Sequence, residues 1–421
     1  MDKFVITGGK QLRGNVRVSG AKNASLALLP AAILADGNFV FNNTPRLNDV
    51  YTMIKLLNTL GIAVDFSEHT LRMDTSGINS YIAPYEHVKK MRASVYVLGP
   101  LLARFGKAKV SLPGGCAWGP RPINLHLEGL KKMGAEIALE EGYIIANTKK
   151  LTGCRLTFDV SSVGATGNLM MAAVLAKGVT EINNAAIEPE ITNLARMLVQ
   201  MGAIIDGINT STLLIQGVDE LKATEIDTIP DRIEAGTLLI AAAMTGGEIK
   251  LEEIKSNLLE AVLVKLEDSG CNITRGDNFI QLKAPYGKPV PTDVTTSIFP
   301  GFPTDMQAQW TAYMSIADGV STIVDNIYID RFKHVPELDR LGANIDVREN
   351  RAVVRGVNKL KAAKVMSTDL RASACLVLAG LAAEGATEVL RVYHLDRGYQ
   401  TIEKKLQSLG AVIERVEGTE Y

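Results

Sequence analysis

The chain has 421 residues, with 45 Lys and Arg against 46 Asp and Glu, a formal net charge of −1. Apolar residues make up 47% and charged residues 22%, with 37 Gly and 15 Pro; these are globular proportions and exclude a disordered or collagen-like chain. A near-neutral chain with 5% aromatic residues has neither the basic excess of a duplex-DNA clamp nor an evident base-stacking surface, so no nucleic acid partner is expected and any anion must be held by a local cluster of cations.

This length favours two domains. Residues 4–19 alternate like strands and have no helix of their own; they are expected to complete the C-terminal half. Residues 26–35 form the longest apolar stretch, which contains Pro30 and falls short of the roughly 20 residues that cross a bilayer, so no membrane partner is expected. The first residues, Met1-Asp2-Lys3-Phe4-Val5, lack the apolar core of a signal peptide, and a reduced cytoplasmic setting is the expectation.

Beyond this point the chain repeats itself. A helix-stop phrase of the type Leu57-Asn58-Thr59-Leu60-Gly61-Ile62 returns around Gly134, Gly202, Gly270, Gly342 and Gly410, at intervals of 73, 68, 68, 72 and 68 residues. A second phrase, an Ala- and Leu-rich helix ending at glycine, recurs at Gly37, Gly106, Gly178, Gly246, Gly319 and Gly385, at intervals of 69, 72, 68, 73 and 66. Two independent markers with one period predict six α/β units of about 70 residues, each with a buried apolar helix and a second helix that faces water on one side. Three units precede the polar stretch 222–228 and three follow it. The expected domains are residues 21–230, and residues 1–20 with 231–421, with an active site in the cleft between them.

Each apolar helix begins about 11 to 17 residues before its glycine. Lys22, Arg92, Arg232 and Arg371 stand at those beginnings, where a cation opposes the helix dipole. Free backbone N–H groups beside Lys and Arg suit a phosphate or carboxylate; pairing of each cation with a neighbouring Asp or Glu is the alternative. Between two units, Pro113-Gly114-Gly115-Cys116-Ala117-Trp118-Gly119-Pro120-Arg121-Pro122 makes a long loop with one thiol and one guanidinium. A thiol near cations can serve as an acid, a base or a nucleophile, and an incidental surface cysteine is the bland alternative. Cys154, Cys271 and Cys375 fall in apolar repeat positions and are expected in the core. No cysteine or histidine spacing fits a metal, and there is no Walker loop or dinucleotide fingerprint, so neither metal nor cofactor is expected.

The motifs Ser19-Gly20-Ala21-Lys22-Asn23-Ala24, Met91-Arg92-Ala93-Ser94, Pro113-Gly114-Gly115-Cys116, Phe302-Pro303-Thr304-Asp305-Met306-Gln307, Asp369-Leu370-Arg371-Ala372-Ser373 and His394-Leu395-Asp396-Arg397-Gly398-Tyr399 together resemble the enolpyruvyl transferases, and among them those that act on UDP-N-acetylglucosamine. The resemblance runs over essentially the whole chain. It implies an inside-out α/β barrel in each of two pseudo-threefold domains. It also implies transfer of the enolpyruvyl group of phosphoenolpyruvate to the 3′-hydroxyl of UDP-N-acetylglucosamine, the first committed step towards peptidoglycan precursors. The sister activity on 3-phosphoshikimate is the alternative.

By the same resemblance Lys22, Arg121 and Arg397 would hold the phosphate of phosphoenolpyruvate, Arg331 and Arg371 its carboxylate, and Asn23 would touch both substrates. Asp305 would take the hydroxyl proton. Cys116 would deliver a proton to C3, form a covalent adduct at C2 and react with fosfomycin. The sugar nucleotide would lie on Asn23, Arg92, Arg121, Pro122, Ile123, Asn124, Leu125, Ser162, Val163, Gly164, Asp305 and Ile327. Two positions depart from the family, which commonly has Asp at Asn124 and Lys at Val160.

Overall fold

The computed structural model describes residues 2–89, 91–112 and 123–417. The chain divides into two compact units, residues 20–229 and residues 1–19 with 230–421. Gly20 and Pro230 thus each lie one residue across the boundary expected from the sequence.

Both units are made from one piece. A short outer strand leads into an apolar helix, which returns to a strand parallel to the first; an amphipathic helix and a hairpin follow. Among the described residues there are six four-stranded sheets of identical order. In one of them Arg155–Thr157 runs parallel to Val179–Asn183, which pairs antiparallel with Thr212–Gln216, which in turn pairs antiparallel with Ile204–Asp206. The second strands bury alternate residues, as Phe39 and Phe41 of Asn38–Asn42 do, so each sheet keeps one face on the core and one towards water.

The period read from the sequence is a repeated helix stop. All six of Gly61, Gly134, Gly202, Gly270, Gly342 and Gly410 have φ between 86° and 108°, a conformation that costs a residue with a Cβ. At each, the N–H of the following residue donates to the carbonyl of the leucine five positions back: Ile62 to Leu57, Ala135 to Leu130, Ala203 to Leu198, Cys271 to Leu266, Ala343 to Leu338 and Ala411 to Leu406. This bond satisfies a helix-end carbonyl and turns the chain into the hairpin.

The apolar helices occupy the centre of each unit. In Arg232–Met244 every residue from Ile233 onwards is buried, and this helix packs against Gln307–Met314 and Leu370–Ala382. In the other unit Val163–Ala173, Leu98–Phe105 with the preceding turn Arg92–Val97, and Lys22–Ala31 fill the same role. Sheets therefore surround helices, the inverse of a common α/β barrel.

Two outer strands are exchanged along the chain. Arg13–Arg17 precedes the helix Lys22–Ala31, yet it pairs in parallel with Glu248–Glu252. Glu225–Asp227 precedes the helix Arg232–Met244, yet it pairs with Asn38–Asn42. Lys3–Thr7 fills a hairpin position between Ala386–Leu390 and Val412–Val416. Within residues 20–229 the Ala21 N–H donates to Ile229 O at 2.7 Å; within the other unit the Asp231 N–H donates to Ser19 O at 2.8 Å. There the crossing segment is also held by an ion pair between Glu234 and Lys405, whose ammonium donates to Arg17 O at 3.0 Å and Ser19 Oγ at 2.7 Å. Burial pushes the Glu234 carboxyl up, against the pull of Lys405.

A polar knot joins three helices of the unit 20–229. Asn168 is fully buried; its Oδ1 accepts from the Gly99 N–H at 2.7 Å, and its amide donates to Val95 O at 3.2 Å and His126 Nδ1 at 2.9 Å. Asn168→Leu would strand all three partners in a dry interior. It is expected to cost about 3 kcal/mol by urea unfolding, since a buried polar group left unsatisfied costs roughly 1–3 kcal/mol.

Candidate active site

The expected site residues sit in two places: the beginnings of the apolar helices, and the connections from the second strand of a sheet to its amphipathic helix. In three sheets those connections are short, residues 43–47, 184–188 and 253–259, and each begins with a left-handed residue, Asn43, Asn184 or Glu253. In the other three they are longer: residues 112–123, 326–334 and 391–401. These long connections hold Cys116 and Arg121, Ile327 and Arg331, and Arg397. Cys116, Arg121 and Pro122 lie outside the described residues.

In the unit 20–229, Lys22 and Asn23 open the helix Lys22–Ala31, whose cap residue Ala21 offers no side chain to its N–H groups. Lys22 is half-buried, with its ammonium 3.8 Å from Asp49 Oδ2. Arg92 opens the turn Arg92–Val97, which packs on that helix. Ile123 precedes the helix Asn124–Lys132, where Asn124 is exposed and Leu125 half-buried. Ser162 caps the helix Val163–Ala173, its Oγ accepting from the Ala165 N–H at 3.2 Å. Gly164 fits there because the His126 ring is close: a Cβ would meet Nε2 at 3.1 Å. Burial and the charge of Arg92 lower His126 to about 4, so the imidazole is neutral at pH 7 and accepts from the Asn168 amide at Nδ1. Val160, where the resemblance implies a lysine, is 70% exposed, an apolar side chain in water.

In the unit of residues 1–19 and 230–421 the structure brings Asp305, Arg331 and Arg371 together. Asp305 lies in the turn Thr304–Met306, and its two oxygens are divided between two guanidinium groups. Arg331 Nη2 donates to Oδ1 at 2.7 Å and Arg371 Nη2 donates to Oδ2 at 2.8 Å. Both arginine side chains are under 10% exposed, against 26% for Asp305. The neighbour that could have neutralised Arg371, Asp369, instead caps the helix Leu370–Ala382, accepting from the Arg371 and Ala372 N–H groups at 2.9 and 3.1 Å. Arg371 finds its carboxylate in another repeat. Burial opposes its charge, but Asp305 and Tyr399 outweigh that and hold it firmly protonated. Arg397 ends the turn Val392–Arg397, which packs on the same helix, and Ile327 donates its N–H to Asp325 at 2.9 Å.

Sequence reasoning passed over three of the groups around Asp305. The buried Tyr399 hydroxyl accepts from Arg371 Nη1 at 3.0 Å and from the Gln309 amide at 3.2 Å, and shares a hydrogen bond with Thr237 at 3.0 Å. Thr304 accepts from Arg331 Nη1 at 2.8 Å and donates to Asp325 at 2.7 Å. Tyr399 closes a quoted motif and Thr304 adjoins Asp305, so adjacency was the available signal; for Asp325 there was none. Cys271 and Cys375 are buried as expected, while Cys154 is half-buried. Among the described residues no group of His, Cys, Asp and Glu could hold a metal, and no helix is long and apolar enough to cross a membrane.

Two buried guanidinium groups thus share one carboxylate beside a helix start. The family described as EPSP synthase (3-phosphoshikimate 1-carboxyvinyltransferase) matches residues 6–406, and the chain belongs to that family. It is 58% identical over 418 residues to a protein of Chloroherpeton thalassium named UDP-N-acetylglucosamine 1-carboxyvinyltransferase, covering 99% of this chain and 97% of the other. A protein of that name from Chlorobium limicola is 56% identical, with 100% of each chain covered. The solved enolpyruvyl transferase NikO of Streptomyces tendae shares the fold at a TM-score of 0.90 and 23% identity over 99% of each chain. An EPSP synthase of Acinetobacter baumannii does so at 0.77 and 17%, over 99% of this chain and 100% of that one.

His334, three residues after Arg331, is 1% exposed, with no partner for Nε2. Burial, then the charge of Arg331, lowers it to about 3. The unfolded chain, whose histidine titrates near 6.5, therefore binds the extra proton first, and stability falls as pH drops below about 6.5, by about 1.4 kcal/mol per unit. His334→Phe should remove about 2 kcal/mol of the loss between pH 6.5 and 5, read from urea unfolding at the two pH values.

Proposed function

We propose that the chain transfers the enolpyruvyl group of phosphoenolpyruvate to the 3′-hydroxyl of UDP-N-acetylglucosamine and releases phosphate, the entry to peptidoglycan precursor synthesis, in the cytoplasm. The observation that carries this is identity of 56–58% along the full chain to relatives of that activity by name. The Asp305, Arg331 and Arg371 constellation supports it.

The reaction adds and then eliminates. Asp305 takes the proton of the 3′-hydroxyl as its oxygen bonds to C2, and Cys116 gives a proton to C3. C3 then loses a proton, the C2–O bond to phosphate breaks, and the double bond is restored. Lys22, Arg121 and Arg397 hold the phosphate, Arg331 and Arg371 the carboxylate, and Asn23 touches both substrates. Arg92, Arg121, Pro122, Ile123, Asn124, Leu125, Ser162, Val163, Gly164 and Ile327 take the sugar nucleotide, with the N–H groups at the helix start Val163–Gly164 facing the diphosphate. Cys116 also attacks C2 to give a covalent adduct and is the nucleophile that opens fosfomycin. No metal or cofactor enters the scheme.

The guanidinium groups assigned to the substrate carboxylate are those that Asp305 engages in this structure. The two carboxylates therefore compete, and arrival of phosphoenolpyruvate turns Asp305 towards the hydroxyl it is to accept from.

Phosphate release from phosphoenolpyruvate is expected with UDP-N-acetylglucosamine and not with shikimate 3-phosphate; the reverse would assign the sister activity. Asp305→Ala should lower turnover by roughly 10²–10⁴-fold, the usual worth of a positioned base, and wild-type turnover would remove Asp305 from that role. Phosphoenolpyruvate should meanwhile bind Asp305→Asn several-fold more tightly than wild type by calorimetry, because the competing carboxylate is gone; weaker binding would show that Asp305 helps to hold the substrate instead.

A further inference from the structure

Asp325 ends the strand Val320–Asp325 and is fully buried. Its Oδ1 accepts hydrogen bonds from Thr296 Oγ1 at 2.8 Å and from the N–H groups of Ile327 and Tyr328, both at 2.9 Å. Its Oδ2 accepts from Thr304 Oγ1 at 2.7 Å. A hydroxyl has one proton. Thr304 spends it on Asp325, so its lone pairs are left for a donor, and Arg331 Nη1 donates to them at 2.8 Å. The guanidinium group is a rigid planar fork, so fixing Nη1 also aims Nη2, which lies 2.7 Å from Asp305.

We propose that Asp325, acting through the Thr304 hydroxyl, is the positioning residue that aims Arg331 at the reacting carboxylates. The inference rests on the assignment of Arg331 to phosphoenolpyruvate. A comparison inside the chain separates this role from an ordinary structural one. The residues that end the equivalent strands of the other five sheets are Asn42, Ser111, Asn183, Glu252 and Leu390. None of them is a buried carboxylate, and the sheet forms in every case. Four of those strands are followed by a residue with positive φ, namely Asn43, Asn184, Glu253 and Arg391. Asn326 is not among the positive-φ residues; in its place the Asp325 carboxylate gathers the N–H groups of residues 327 and 328 and turns the chain. A buried charge is costly unless it is fully hydrogen-bonded, and this one appears in the repeat at the sheet whose next connection carries Arg331.

The test is steady-state kinetics on the full chain with both substrates. Thr304→Val keeps the shape and removes the hydroxyl. It is expected to raise KM for phosphoenolpyruvate about tenfold or more, with KM for UDP-N-acetylglucosamine within twofold, and to lower the thermal midpoint, because Asp325 Oδ2 and Arg331 Nη1 lose a partner. Thr304→Ser keeps the hydroxyl and should stay within twofold of wild type in both. Asp325→Asn should raise KM for phosphoenolpyruvate in the same direction. Wild-type KM in Thr304→Val, or equal losses in the Val and Ser variants, would overturn the proposal. Arg331→Ala separates the two levels. If it leaves KM for phosphoenolpyruvate unchanged, the assignment of Arg331 fails and the positioning role falls with it. If it raises that KM while Thr304→Val does not, the positioning role alone fails.

Discussion

A helix that is apolar on every side can be stable in water only if it is enclosed, and that requirement shapes the rest of this molecule. The helices Arg232–Met244, Val163–Ala173 and Leu370–Ala382 have almost no polar face. Three such helices fill the middle of each unit, and sheets with one dry and one wet face surround them. The shell must be complete, and a sheet without its outer strand would leave an unpaired edge over the core. The exchanged strands Arg13–Arg17 and Glu225–Asp227 remove that edge in each unit, at the two points where the chain passes from one unit to the other.

Enclosing the helices also decides where chemistry can be placed. Their lengths are committed to packing, and the sheets carry the same order six times. What remains free to vary is the first turn of each helix and the connection after each second strand. The first turns at Lys22 and Arg92 lack a side-chain cap, whereas those led by Ser162, Asp231 and Asp369 have one. The longer connections are those with Ile327 and Arg331, with Arg397, and with Cys116; the one with Arg397 still opens on a left-handed residue, Arg391. A sixfold scaffold thus acquires its asymmetry at a few positions, each supported by a repeat that folds in the same way without it.

This explains what could be read in the sequence. The period was legible because a left-handed glycine and the leucine four residues before it are local requirements, repeated six times at spacings of 68–73 residues. The interior helices were legible because composition alone marks them. The strand exchange was visible only as strands near the N-terminus lacking a helix, since alternation shows that a segment is a strand and says nothing of its partner. The same limit hid the surroundings of Asp305. Arg371 has Asp369 two residues away, and proximity in sequence favours that pair. A carboxylate that caps its own helix is already committed, however, and the partner comes from a helix start 66 residues earlier. Asp325 was silent for a similar reason, because its importance lies in burial, which no single residue announces.

The pairing at Asp305 also reconciles the near-zero net charge with the anion site proposed here. Arg331 and Arg371 are buried, and a buried cation without a counter-charge would shed more stability than its site could return. Asp305 supplies that counter-charge from a more exposed position, where it can be displaced. On the proposed roles, a substrate must offer a carboxylate of similar geometry together with further binding elsewhere, because a bare carboxylate would gain nothing over the one already present. A small molecule with a second anionic group meets this condition, and one without it does not. With the proposed roles of Asp305, Arg331 and Arg371, selection for a phosphorylated enol acid over simpler acids would follow from placing the base and the carboxylate clamp in the same ion pair.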